Sequence, residues 1–216
     1  TRSVAVTGVQ TCALPILHQQ VTTAEVDAAL QAVLADIGGE DLWVFGYGSL
    51  MWNPGIHFQE VRRASLDGFA RRFALATTIG RGTTNCPGLV LTLLPCAGVC
   101  HGLAFRIHHT LVEAESRLLW RREMIRGGYC PALLPLDTPQ GRIEALVLTA
   151  NTAHPQYRGE LSLEDTAAII ASACGSIGSN RAYLDQLDEQ LDLLGIEDDH
   201  VRALSAAVER RPQADG

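Results

Sequence analysis

From Leu42 to Thr149 the chain is a succession of short apolar stretches, and only one segment of helical spacing interrupts them. Leu42 to Phe45, Ala64 to Leu66, Phe69 to Thr77, Leu89 to Leu94, Gly102 to Ile107 and Ile143 to Thr149 carry the strand-like residues. Clusters of Gly, Pro or Asn bound each of them, which is how strands are punctuated. A doubly wound parallel sheet needs a helix between successive strands, so this order points to an antiparallel sheet or a small closed barrel. The expected fold class is α+β: a small, mostly antiparallel β-barrel with flanking helices and a helical C-terminal region.

The helical segments follow from spacing and caps. Thr22 or Thr23 caps a first helix whose apolar residues, Val26, Leu30, Val33, Leu34 and Ile37, recur at helical intervals until Gly38-Gly39. Inside the β region, Thr110-Leu111-Val112-Glu113 fits a capping box with Thr110 as N-cap. That helix is expected to run through Leu118, Leu119 and Glu123 to Gly127-Gly128. From Asp165 onward the pattern turns helical over Ala167 to Ala173, Asn180 to Leu194 (capped by Ser179) and Asp199 to Val208.

The 216 residues suit one domain, placed over 17–210, with its C-terminal helices from about 163 and a frayed tail over 211–216. Seventeen basic against 24 acidic residues leave a formal charge of −7, which argues against a nucleic-acid or anionic-membrane surface. No run of eighteen apolar residues is present to span a membrane. Six dispersed cysteines form no disulfide framework, and reduced thiols in a cytoplasmic protein are expected. Val6 to Ile16 reads as the in-frame translation of a sequencing-library adapter, which marks a metagenomic open reading frame. The signal-peptide reading is weaker, because Arg2 is the sole early cation and Gln10, Thr11 and Pro15 break the apolar stretch. Residues 1–16 are therefore set aside.

Two stretches carry chemistry. Val44-Phe45-Gly46-Tyr47-Gly48-Ser49-Leu50 is a buried strand that stops abruptly at glycines, and such a turn can aim successive N–H groups at an anionic or carbonyl oxygen. Glu123 continues an apolar helical face formed by Val112, Ser116, Leu119 and Trp120. Desolvation there, and the negative end of the helix, both raise a carboxylate pKa towards that of a general base. A structural ion pair of Glu123 with Arg122, Arg126 or a barrel arginine stays open on these residues alone. Other candidates are weaker. Ser49 lacks the glycine two residues later that a nucleophile elbow uses. Cys96 to His101 offers no second ligand pair at zinc spacing and reads as a turn between strands. His108-His109 reads as solvated residues before a cap, and no phosphate-binding glycine loop is present.

With both stretches in view, the chain resembles the ChaC family of glutathione-specific γ-glutamylcyclotransferases, its bacterial members in particular. The matching residues are Phe45 to Pro54, Gly80-Arg81-Gly82-Thr83 with Pro87-Gly88, Leu119 to Ile125 running to Gly128-Tyr129, and His154 to Tyr157. The resemblance covers about Leu42 to Gly195 or beyond, which is most of the chain. It implies a small barrel with flanking helices and cleavage of reduced glutathione to 5-oxoproline and cysteinylglycine, without metal or organic cofactor. It implies Glu123 as general base and then acid, and substrate contacts from Tyr47, Gly48, Ser49 and Leu50. Arg81 is the first candidate for the glutamyl carboxylate and Arg72 the second, and Tyr129 is placed to touch substrate. A monomer is expected.

Two other readings stand beside this one. A cyclotransferase for other γ-glutamyl amides or amino acids would share the mechanism, but the Arg122-Glu123-Met124 motif and the helical tail favour the glutathione branch. A non-catalytic γ-glutamyl-binding regulatory module would have no use for an acid at position 123.

Overall fold

A computed structural model describes residues 23–212 of the chain. The adapter-like segment, the Thr22 cap and the last four residues lie outside them. The element order is α1 (Thr23–Ile37), β1 (Leu42–Gly46), a 3-10 turn (Ser49–Met51), β2 (Glu60–Thr77), β3 (Gly88–Ile107), a second 3-10 turn (His109–Leu111) and α2 (Val112–Leu119). A π-helical turn (Trp120–Met124), β4 (Tyr129–Thr138), β5 (Gly141–Ala150), α3 (Leu163–Ser172), a two-residue hairpin (β6, Cys174–Gly175; β7, Gly178–Ser179), α4 (Asn180–Leu194) and α5 (Asp199–Glu209) complete it.

The five long strands close a barrel in the order β1-β3-β2-β4-β5, and a parallel contact between Val44 and Leu146 joins its ends. Every other strand pair in the barrel is antiparallel. Closure leaves no open edge, which is one way an all-β layer avoids association. β1 is buried on both faces. Phe45 packs into the barrel with the C-terminal helices, while Leu42 and Val44 pack against Leu30 and Val33 of α1 and Leu119 and Trp120 of the helix before β4. That double burial is why its sequence is continuously apolar rather than alternating.

The structure corrects several details. The short runs from Ala64 to Ile107 are two long strands, β2 and β3, that pair along almost their whole length. Cys96 to Cys100 is no hairpin turn but lies where the register shifts between Asp67 and Phe69, with Gly68 at φ +82°. A bulge of this kind bends a long ribbon, and bending is what closure requires. Thr110 is not the N-cap of α2; Leu111 is, without a side-chain cap bond, and His108 caps the preceding 3-10 turn, its side chain accepting from the Thr110 N–H. Strand β4 had no counterpart in the sequence reading, because Pro131 and Pro135 break its pattern. α3 starts at Leu163, with Ser162 as cap, and α4 has the predicted bounds with Ser179 as cap. No disulfide joins cysteines among the described residues, and no helix there is long and apolar enough to cross a membrane.

Candidate active site

Glu123 sits in the π turn that ends α2, and the predicted apolar face is buried: Val112, Ser116, Leu119 and Trp120 are each at most 5% exposed. A π turn widens the helix by one residue, and such turns concentrate at functional sites. Gly127, at φ +68°, then ends the segment, and β4 begins at Tyr129. The Glu123 side chain is 16% exposed, and its Oε1 lies 2.8 Å from Arg122 Nε. Burial pushes its carboxyl above the usual range; Arg122, by charge and hydrogen bond, and Arg126, by charge, pull it back without cancelling that shift. The ion pair left open by the sequence therefore exists, and the carboxyl is nevertheless raised. Arg122 also donates to Ser49 Oγ at 2.9 Å and to the Asn53 carbonyl at 2.6 Å, so it links the Glu123 carboxylate to the strand-ending turn.

That turn, Tyr47 to Leu50, lines a small cavity of about 30 Å³ together with Glu123, Tyr129 and Tyr183. The space is the size of one oxygen-bearing group. Gly48 belongs to it for a steric reason. A Cβ there would stand 3.1 Å from Leu91 Cδ1 and 3.4 Å from the Tyr183 hydroxyl. The first N–H groups of the following 3-10 turn have no partner inside the turn, so they are available to an oxygen in the cavity. Tyr47 and Tyr129 donate their hydroxyls to the carbonyls of Leu148 and Leu91 at 2.7 and 2.8 Å. Burial foremost, with the Glu123 charge contributing, raises Tyr47, Tyr129 and Tyr183 above the ordinary phenol range, so all three stay neutral.

The small cavity opens beside a cleft of about 430 Å³ that shares Ser49, Glu123, Tyr129 and Tyr183 with it. Arg81, Arg122 and Arg126 line that cleft. Arg81 is held in place by the Ser179 carbonyl at 3.1 Å and Gln186 Oε1 at 3.2 Å, with its guanidinium 5.6 Å from the Tyr183 ring centre. The motif glycines around it let the loop pack backbone on backbone: a Cβ on Gly82 would stand 2.2 Å from the Gly88 nitrogen. Arg72 lies elsewhere, pairing with Glu160 at 3.3 Å on the surface. Tyr183 and Gln186 were not foreseen. Tyr183 falls on the buried stripe of α4 with Leu187 and Leu191, where an aromatic ordinarily reads as core.

A larger groove of about 670 Å³, bordered by Arg63, His101, Asp137 and Glu197, contains none of these groups. Donor atoms of Asp41, His108 and His109 lie within 4.8 Å of one another, but Asp41 already serves Arg106 at 2.6 Å and the His109 N–H at 2.8 Å.

A buried carboxyl with a raised pKa and the glycine turn border one small cavity, beside a cleft lined by three arginines. The family model described as ChaC-like protein matches residues 42–211. The chain belongs to that family. This ChaC-like chain is 40% identical over 185 residues to the glutathione-specific gamma-glutamylcyclotransferase of Escherichia coli K12, covering 85% of the chain and 80% of the relative. It is 34% identical over 173 residues to human glutathione-specific gamma-glutamylcyclotransferase 1, covering 77% and 78%. A crystal structure of the yeast cyclotransferase specific to glutathione superposes with a TM-score of 0.73, at 24% identity, over 79% of this chain and 96% of that one, which shows the shared fold.

Proposed function

We propose that this chain is a glutathione-specific γ-glutamylcyclotransferase, releasing 5-oxoproline and cysteinylglycine. The observation that carries the proposal is the raised Glu123 carboxyl bordering the cavity lined by Tyr47 to Leu50. Glutathione brings two carboxylates and one ammonium. The guanidinium groups of Arg81, Arg122 and Arg126 suit the carboxylates, with Arg81 assigned to the glutamyl one because it is pre-oriented by Ser179 and Gln186.

Glu123 takes a proton from the α-ammonium, and the freed amine attacks its own γ-carbonyl carbon. The carbonyl oxygen becomes anionic and is held by the N–H groups of the Tyr47–Leu50 turn; losing one such donor costs about 10²-fold in rate. The ring C–N bond forms, the C–N bond to cysteine breaks, and protonated Glu123 passes its proton to the departing nitrogen. The attacking nitrogen sheds a second proton and the leaving amine gains one, both exchanged with water. Because the attack is intramolecular, the effective concentration of the amine is large and no protein nucleophile is called for. Ser49 then has a different task, as the hydroxyl that receives Arg122.

The test is turnover of reduced glutathione, with both products quantified beside γ-glutamyl-alanine and γ-glutamyl-lysine. Products from glutathione alone are expected. Turnover of the other amides but not glutathione would move the chain to a broader cyclotransferase, and a folded protein silent on all three would leave the binding-module reading.

A further inference from the structure

Arg71 is among the largest fully buried side chains of the protein, at 1% exposure on β2, and the mechanism above makes no use of it. Burying a guanidinium is expensive unless each side of the fork finds an acceptor. It does. Nη1 donates to the Tyr47 carbonyl at 2.6 Å, Nη2 donates to the His101 carbonyl, and Nε lies 2.8 Å from Asp198 Oδ2. Asp198 is fixed in turn, since its Oδ1 accepts from the Val201 N–H as the N-cap of α5. One buried group therefore ties the strand-ending turn to β3 and to the last helix.

The carbonyl it grips belongs to the peptide whose N–H is that of Gly48. In a trans peptide the carbonyl and the following N–H point in opposite directions, and no cis bond is present among the described residues. Holding the Tyr47 oxygen towards Arg71 thus turns the Gly48 N–H away from it, and Gly48 lines the small cavity. A cation at the oxygen also polarises the peptide and strengthens its N–H as a donor.

Resting on the proposed cyclisation, we infer that Arg71 is a positioning residue for the oxyanion site, acting through the Tyr47–Gly48 peptide. Its contribution appears where negative charge develops on the substrate oxygen, so it falls on kcat rather than on KM.

The test replaces Arg71 by Lys in the full chain and compares it with Leu204→Ala, a change in the buried core of α5 at a residue that lines neither cavity. Arg71→Lys is expected to lower kcat by about tenfold or more with KM for glutathione within about twofold, whereas Leu204→Ala keeps kcat at temperatures below its melting. The Gly48 amide resonance of the 15N-labelled protein should move in Arg71→Lys and stay in Leu204→Ala. Should the lysine variant not fold, Asp198→Asn, which retains the α5 cap, weakens the anchor from behind and should shift the same resonance with about a threefold loss of kcat. An unmoved Gly48 amide, or a wild-type kcat in the folded variants, overturns the inference. An unsubstituted protein without glutathione turnover would instead overturn the proposed function, and the Gly48 resonance would still decide what Arg71 holds.

Discussion

The Glu123–Arg122 pair and the Arg71–Asp198 pair both touch the Tyr47–Leu50 turn, and both take charge out of bulk water. They differ in how the buried charge is matched. Both terminal nitrogens of Arg71 donate to backbone carbonyls that cannot titrate, and its Nε lies 2.8 Å from the Asp198 carboxylate, an ion pair rather than a hydrogen bond. Glu123 meets a single arginine at one oxygen and borders two cavities, so burial outweighs its partner and its carboxyl is raised. A buried charge gripped by fixed carbonyls and a carboxylate stabilises geometry. A partly matched one facing open space is poised to exchange a proton.

The comparison breaks most directly at Glu123. Glu123→Gln is nearly isosteric, and general acid–base loss of this kind costs about 10²–10⁴-fold, so kcat should fall into that range while thermal unfolding shows the fold intact. A well-folded variant with wild-type turnover would remove the distinction between the two pairs. Truncating the other pair should act on stability. Arg71→Met leaves two carbonyls and Asp198 without their partner, and a loss of about 3–5 kcal/mol is expected in denaturant unfolding.

A third experiment reads the titration itself. Because the folded protein holds the Glu123 proton more tightly than the unfolded chain, the native state binds more protons between the ordinary carboxylate pKa and the raised one. The stability that this group contributes is therefore fully present below the unfolded pKa and is lost as pH rises through the folded one. Glu123→Gln should escape that loss, so its melting temperature relative to wild type should climb across the same window. A constant difference at all pH values would mean that the carboxyl is not raised. The smallest effect is expected next door to Arg71. Arg72 pairs with Glu160, which is 71% exposed, so Arg72→Ala should change stability by about 0.5 kcal/mol or less and leave KM for glutathione unchanged. A large rise in KM would return Arg72 to the substrate's carboxylate.

Adjacent in sequence, Arg71 and Arg72 also show where reading by pattern ran out. Alternation along a strand says that neighbours face opposite sides, but not which side is inside when both residues are arginine. The long ribbon of β2 and β3 buries Arg71, with its guanidinium on the His101 carbonyl of β3 and on Asp198, nearly 130 positions along the chain. The Glu123 face was legible because residues three, four, seven and eleven positions away report the same helix surface. The π turn was not, since a one-residue widening leaves that spacing almost unchanged. Tyr183 and Gln186 were hidden for the same reason as Asp198: they reach the cleft only when α4 docks. Asn180 secures that docking by pairing its side chain with both the N–H and the carbonyl of Leu89 on β3, at 2.6 and 2.8 Å.

Sequence alone determined what depends on neighbours along the chain. The buried strand ending in glycines, the carboxylate on an apolar helical face, the Ser179 cap and the mixture of strands with terminal helices all follow from local sterics and periodicity. Tertiary structure decided everything that depends on closure. Merging short runs into a bent ribbon, adding β4, and choosing which arginine is inside required the barrel to complete itself. So did placing a tyrosine from α4 over Gly48. These choices are made by desolvation and by the matching of buried donors to acceptors, and both are set by residues far apart in the chain.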